Sequence, residues 1–291
     1  TNEGIIKMQV DQGGTLFASA LDVDLTTGVL NMPQRGSITT INEDPEQIAA
    51  VRWTNKAQIA FALDEQGAIT QRLRHARFEG AAIAEQAGNS IGARVIDATL
   101  DPTLPPASAL TTLALTEGVI ASAEKQTLTG RDLTIDFVPD AIPGNPPHPV
   151  RITSIGSSMG RTPDAMLRAN DLHAELFLDE SGQTRLRTAR AVGDVNYRDS
   201  SRTTAVASNL DADAVQEIIV LTGPDTSVTQ AGSTIAGNHI TLRAKRRSVE
   251  VQGAGTFDHD IALAQDPNAN PGQLGHISTR WADSMRFDDT L

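Results

Sequence analysis

Cysteine is absent from all 291 residues, which excludes disulfide staples, thiolate metal sites and thiol nucleophiles. Aromatic residues amount to only 3% of the chain: seven Phe, two Trp and one Tyr. Surfaces that grip sugars or nucleobases usually stack them on rings, so that kind of recognition has little to build with here. A ligand cavity would be lined mainly by Leu, Ile, Val and Ala. Basic residues are outnumbered, 24 Lys and Arg against 36 Asp and Glu, for a formal charge of −12. That balance argues against a sequence-independent nucleic-acid binder, which needs a basic face for phosphates. No apolar run approaches the roughly 18 residues of a membrane-spanning helix. The opening TNEGIIKMQV has neither an initiator Met nor a signal peptide, so the chain reads as a fragment or a processed form.

What is present is a globular composition, 39% hydrophobic and 21% charged, with length enough for two or three domains. Its dominant pattern is alternation with a period of two. In LTIDF, Leu133, Ile135 and Phe137 share one side; in HITLR, Ile240 and Leu242 do. Val249 and Val251 alternate with Glu250 and Gln252, and Val195 and Tyr197 with Asn196 and Arg198. In QRLRHAR the same rule puts Arg72 and Arg74 on one side and Leu73 and His75 on the other. Turn signals such as DEQG, DESG, TTGV and AGN separate these runs every 8–12 residues or so. DAVQEIIVL (213–221) is ambiguous, and no long helix emerges. The expected fold class is all-β, a meander of antiparallel strands whose apolar face must close on itself.

The chain also repeats itself. QRLRHAR (71–77) returns as TRLRTAR (184–190), 113 positions on (190 − 77). TLFASALDV (15–23), TLTGRDLTI (127–135) and TIAGNHITL (234–242) share one aliphatic pattern, LALTEG (113–118) pairs with IVLTGP (219–224), and RWADSMRFDD (280–289) resembles RWTNKAQIAFALDE (52–65). These phrases divide the chain into the tail of one unit (1–45), two full units (46–140 and 150–257) and the start of a further one (274–291). The Pro- and Asn-rich joints DAIPGNPPHP (140–149) and QDPNANPGQLG (265–275) read as linkers or loops.

Chemical motifs are thin. GSSMG (156–160) matches the nucleophile-elbow pattern around Ser158, but that motif works on a strained strand-to-helix turn. RTPDAML follows with no convincing helix, so a Ser/Gly loop is the expectation. DHD (258–260) has no second ligand cluster at suitable spacing and reads as a solvated acidic loop in a linker. His75 is replaced by Thr188 in the matching phrase, and no general acid–base pair stands out. No enzyme activity, cofactor or metal is therefore expected. Arg72, Arg74 and Arg77, with Arg185, Arg187 and Arg190, would line the polar side of matching strands. Such a face can simply discourage sheet aggregation, or Arg72, Arg74, Arg185 and Arg187 can hold lipid head-group phosphates in arginine forks. RAKRR (243–247) carries the same two readings.

The run LRANDLHAELFLDESGQTRLRTARAVGDV (Leu167 to Val195) resembles the OstA-like/LptA family of lipopolysaccharide export. So do NLDADAVQEIIVLTG (209–223) and TIAGNHITLRAKRRSVEVQGAGTF (234–257), while ARFEGAAI and LTGRDLTI carry a weaker likeness in the preceding unit. The resemblance implies tandem V-shaped, opened β-jellyroll units forming an elongated stack in the periplasm or cell envelope. It implies an interior that shelters lipid acyl chains, with neighbouring OstA-like units or envelope-transport proteins stacked end to end as partners, and no nucleic acid. Leu21, Val23, Leu63, Leu133, Ile135, Phe137, Leu178, Val195, Tyr197, Ile240, Leu242, Val249 and Val251 would line that interior. Two other readings stay open: a structural or adhesive β-repeat with a packed core, and a polysaccharide-active β-helix enzyme. Scarce aromatics and missing carboxylate clusters weigh against the enzyme.

Overall fold

A computed structural model describes residues 6–10, 14–40, 49–142, 145–262 and 274–288. Nearly all of this is antiparallel strand, and the described residues contain no α-helix. DAVQEIIVL is resolved as a turn leading into a strand, which suits its β-branched run Ile218–Val220. The chain divides into two compact units. The first is Thr1–Gly156 with Leu176–Arg185, and the second is Ser157–Glu175 with Leu186–Leu291.

In the first unit the strands are β1 (Ile6–Val10), β2 (Gly14–Ala18), β3 (Asp22–Asp24), β4 (Val29–Met32), β5 (Gly36–Thr40), β6 (Ala49–Trp53), β7 (Lys56–Leu63), β8 (Ile69–Gln86), β9 (Asn89–Leu100), β10 (Leu110–Ala123) and β11 (Gln126–Val138). The 18-residue β8 shows the construction. Its first half pairs with β7 and its last four residues with β6, so β6 and β7 act as two halves of one broken strand. Between the halves, Gly80 and Ala81 take φ of 81° and 46°, and the register against β9 slips between Glu79 and Ala82. This is a β-bulge, which bends the strand and sharpens its twist. Two hydrogen bonds pin the bend to the β6–β7 break, Thr54 N–H to Gly80 O at 2.7 Å and Asn55 N–H to Glu79 O at 3.0 Å.

The bend recurs. Gly118, Gly156 and Gly193 also have positive φ, each beside a positive-φ neighbour (Glu117, Ser157 and Asp194). Starting from Gly80 the intervals are 38, 38 and 37 residues (118 − 80, 156 − 118, 193 − 156). Gly80 to Gly193 spans 113 residues, the interval between the two arginine phrases, so that interval contains three bends and two strands per bend.

The strands β12 (His148–Arg161), β13 (Ala165–Leu178) and β14 (Thr184–Asp199) each contribute to both units. The second unit continues with β15 (Thr204–Asp213), β16 (Ile218–Thr222), β17 (Ser227–Gln230), β18 (Ser233–Arg243), β19 (Ser248–Ala262), β20 (Leu274–Trp281) and β21 (Ser284–Asp288). The rule repeats: β16 and β17 lie as halves along β15 and β18, and β20 and β21 as halves along β19.

Two tryptophans mark equivalent places. Trp53 Nε1 donates to Gln34 O at 2.8 Å, and a Cβ on the facing Gly36 would collide with the indole. Trp281 Nε1 donates to Gly253 O at 3.1 Å, and a Cβ on the facing Gly255 would collide likewise. In both places a glycine opposite the ring makes room for it, and the accepting carbonyl lies two residues before that glycine. This is the physical content of the shared RW phrase.

Several expectations are corrected. The GSSMG segment is no loop: it lies inside β12, bulged at Gly156 and Ser157. DHD is part of β19 rather than a linker. Leu73 and His75 do not share a side, because β8 holds an extra residue there: Leu73 opposes Phe61 while His75 opposes Ala60. Of the joint at 265–275, residues 265–273 lie outside the described residues, as do parts of the 1–45 and 274–291 segments; Leu274 and Gly275 open β20.

Candidate functional site

Alternation along each strand and register between strands collect the aliphatic side chains into rows that cross the sheet. In the first unit Met32, Ala57, Phe78, Ile96, Leu115 and Leu133 oppose one another in turn from β4 to β11. One step outward run Leu30, Ile59, Ala76, Ala98, Leu113 and Ile135, with Val23 at the β3 end. On the other side of the bends the row is Leu16, Ile38, Val51, Ala84, Ile91, Ala121 and Leu128. All three rows supply one core cluster, so the two half-sheets close on each other at the bends.

The closure is graded. Along β7, Ala57 is 3% exposed, Ile59 8% and Leu63 39%, each step taking the same face farther from the bend. Ile69 and Leu73, opposite Leu63 and Phe61, are exposed as well. Near the bends the interior is therefore sealed, and toward the strand ends an apolar face opens to solvent.

The second unit repeats the pattern. Ala191, Leu210, Leu221, Ile240 and Val251 form a sealed row that ends on Met285. The next row outward, Ala189, Ala212, Ile219, Leu242, Val249 and Phe287, is half-buried or exposed. Across the bend run Tyr197, Ala205, Val228, Ile235 and Phe257. Burial pushes the Tyr197 phenol above its ordinary value, helped by Asp199, whose carboxylate its hydroxyl reaches at 3.4 Å.

The rows and the two core clusters place the thirteen aliphatic and aromatic candidates differently. Leu133, Ile135, Phe137 and Leu21 belong to the first cluster, and Val195, Tyr197, Ile240, Leu242, Val249 and Val251 to the second. Leu178 is half-buried and belongs to neither, while Val23 and Leu63 are exposed at open margins. Sequence reasoning missed Met32, Phe78, Ile96, Leu115 and Leu221, the sealed centres of the rows. Alternation in LALTEG and IIVLTG carries the signal for the last two.

The arginine candidates are exposed and engaged locally. Arg72 Nη1 donates to Pro102 O at 2.6 Å, Arg74 Nε to Phe61 O at 3.2 Å, and Arg185 Nε to Asp179 Oδ2 at 2.8 Å. Arg187 and Arg190 fall on opposite faces of β14, since Arg187 has the parity of Ala189 and Ala191, whereas Arg190 lies 3.6 Å from Asp211. The expected all-arginine polar side is thus split by simple alternation. On the outer face of the first unit, Arg77 bridges Glu79 and Asp97 at 2.8 Å each, and His75 Nε2 meets Asp97 at 2.8 Å.

No cluster of three or more His, Asp or Glu side chains fit to hold a metal occurs among the described residues. Ser158 is buried, with its Oγ donating to Asn170 O at 3.3 Å. No helix of the described residues is long and apolar enough to cross a membrane.

No family model matches the chain, and no curated protein matches it. Among solved structures, one match covers 65% of this chain and 93% of LptH, titled the LptA homologous periplasmic component of the conserved lipopolysaccharide transport device from Pseudomonas aeruginosa. The two are 15% identical with a TM-score of 0.22. An overlay of that quality fixes neither a shared fold nor a shared activity. The class rests on the chain's own strand pairing: an all-β antiparallel protein whose interior is a set of apolar rows, sealed at the bends and open at the margins.

Proposed function

We propose that this chain is a non-catalytic carrier of lipid acyl chains, of the lipopolysaccharide type, acting as one component of a transport bridge in the bacterial cell envelope. The observation that carries the reading is the graded exposure of the rows. A protein that needed only a core would seal its interior to the strand ends, whereas here aliphatic faces continue into solvent beyond the sealed row. An acyl chain laid along an open row is held by nondirectional burial worth about 0.8 kcal/mol per CH2. Rows that run from strand to strand, perpendicular to the chain, give a hydrocarbon tail one continuous path within a unit. The resemblance of residues 167–195, 209–223 and 234–257 to the OstA-like/LptA family supports the same cargo, the same envelope location, and end-to-end partners.

A second reading, a structural β-repeat without lipid, draws on the fully buried positions Met32, Leu115, Ile240 and Val251. Solvent extraction of the purified protein followed by mass spectrometry, with photo-crosslinking to an acyl-chain probe, separates the two. A stoichiometric co-purified lipid, or a crosslink mapping to the open rows, supports the carrier. A lipid-free protein that gives no crosslink leaves the structural repeat standing and removes the carrier.

A further inference from the structure

Two residues, 87–88, join β8 to β9, and two, 124–125, join β10 to β11, but β9 and β10 are joined by nine, DPTLPPASA (101–109). A hairpin connection commonly takes about two to five. The extra length is ordered by its own hydrogen bonds. Asp101 N–H donates to Ala109 O at 2.8 Å, carrying the ladder one step beyond the strands, and Leu104 N–H donates to Asp101 O at 3.2 Å. Asp101 Oδ1 accepts from the Thr103 N–H at 2.8 Å and from its hydroxyl at 2.7 Å. Ser108 N–H donates to Pro105 O at 2.9 Å in the 3-10 turn Pro106–Ser108. Pro102, Pro105 and Pro106 fix φ along the loop, so less conformational freedom is lost when it orders.

The loop is also packed down. Connecting segments ordinarily lie exposed on the surface, yet Ser108 is 5% and Ala109 4% exposed. Leu104 is half-buried between an exposed Thr103 and an exposed Pro105, so its side chain turns toward the protein. Side chains moor the loop on both flanks. Arg72 Nη1, on β8, donates to Pro102 O at 2.6 Å. Ser108 Oγ donates to Asn145 O, in the segment that follows β11, at 2.8 Å. The loop therefore reaches from β8 to the far side of β11.

Exposure along this margin follows the loop. Leu100 and Leu110, which flank it, oppose each other at the outer end of the interior face, and Phe137 ends that face on β11. All three are half-buried. At the β7–β8 end, which the loop does not reach, Leu63, Ile69 and Leu73 are exposed. The second unit has only short turns in the equivalent place, 214–217 and 244–247, directly beyond its half-open row.

We propose that residues 101–109 form a fixed cap over the β9–β11 end of the first unit's apolar interior, moored by Arg72 on one flank and by the Asn145 carbonyl on the other. The interior of this unit is then entered from the β7–β8 end, where Leu63, Ile69 and Leu73 meet solvent. The cap goes beyond the carrier reading: it decides which margin an apolar ligand can reach, and it stands or falls without any lipid.

Because the chain has no cysteine, single cysteines report access directly. Leu100→Cys beneath the cap, Leu73→Cys at the open end and Ile96→Cys in the sealed row are each labelled with a water-soluble maleimide. Each is placed in three backgrounds. These are the native loop, Arg72→Gln/Ser108→Ala, which removes both moorings, and a variant with residues 102–108 replaced by Asn-Gly, a two-residue hairpin turn. Behind the native loop, Leu100→Cys should react about tenfold more slowly than Leu73→Cys. Loss of the moorings should speed it several-fold, and the Asn-Gly turn should bring it level with Leu73→Cys, whose own rate stays unchanged. Ile96→Cys should stay protected throughout. If it becomes reactive in the Asn-Gly variant, that variant has unfolded and the Arg72→Gln/Ser108→Ala background decides. Comparable labelling of Leu100→Cys and Leu73→Cys behind the native loop overturns the cap. So does an unchanged Leu100→Cys rate once the moorings are gone, or once the loop is shortened with Ile96→Cys still protected.

Discussion

Val251 and Leu242 lie on adjacent rows of the second unit, one sealed and one half-open, and a carboxylate at each measures different things. Val251 is fully buried, so Val251→Asp leaves an unpaired charge among Leu221, Ile240 and their neighbours. The expected cost is about 2–5 kcal/mol, read as a shift in the urea midpoint. Leu242→Asp should cost distinctly less, because water reaches its row, yet it should abolish crosslinking of an acyl-chain probe. Equal destabilisation by the two substitutions would mean that the outer row is as closed as the inner one. Ser158 belongs to this scale too. Its hydroxyl is buried against Asn170 O, and the Gly156–Ser157 bulge keeps the chain in a strand rather than turning it into a helix. Ser158→Ala is expected to cost at most about 1 kcal/mol. No fluorophosphonate label should appear on Ser158, and labelling would revive the nucleophile.

At the scale of the strand, the bends decide what each half can pair with. Gly80 holds φ 81°, and a Cβ there would press on Thr54 and Asn55, whose N–H groups anchor the bend. Gly67 has a similar φ of 80° but open space around it. Gly80→Ala should therefore destabilise the protein more than Gly67→Ala, which carries only the backbone strain of about 1 kcal/mol. Matching urea midpoints for the two would show that the bend tolerates a side chain.

The β19–β20 pair carries a different device. His276 Nδ1 lies 3.1 Å from Asp260 and Nε2 3.4 Å from Asp258, and only the imidazolium can donate from both nitrogens. Hydrogen bonding to Asp260, with the charges of Asp258 and Asp260, raises the His276 pKa above its ordinary 6.5. A raised folded-state value means the contribution is complete below 6.5 and is lost as pH rises through the folded value. Amide exchange in β20, corrected for intrinsic rates, should quicken over that rise in wild type and not in His276→Gln. Indifference of β20 to pH would dismiss the latch.

At the scale of the whole molecule, acid response follows the turn carboxylates. The Thr26 hydroxyl, with help from Thr27, draws Asp24 down to about 2, and Ser181 followed by Arg185 draws Asp179 lower still. Asp101 is lowered by Thr103, Asp132 by Arg131 and Glu79 by Arg77. Depressed folded-state values place their stabilising effect above the ordinary carboxylate value, to be lost as pH falls through the folded ones. Since Asp24 and Asp179 are only half-buried, at turns that water reaches, the summed effect is screened and modest. The urea midpoint should begin to drop once pH passes below about 4 and continue dropping toward 2. A midpoint that rises over this interval would show that self-repulsion of the −12 charge outweighs the turns.

Much of this molecule was legible in the sequence because strand alternation is a local property. Leu133 with Ile135 and Phe137, Ile240 with Leu242, and Val249 with Val251 share faces as the period of two requires, and Asp64 and Asp179 cap the turns that DEQG and DESG announce. The repeated arginine phrase likewise reports real spacing, three bends apart. What only the tertiary structure decided is everything that depends on a partner strand. The extra residue that parts Leu73 from His75 exists only relative to β7, and the place of GSSMG and DHD within strands depends on the long strands around them. Whether a row is sealed or open could not be read locally either. Val251 and Val249 are the same residue type two positions apart, and their burial differs because one lies beside a bend where two half-sheets meet and the other lies farther from it.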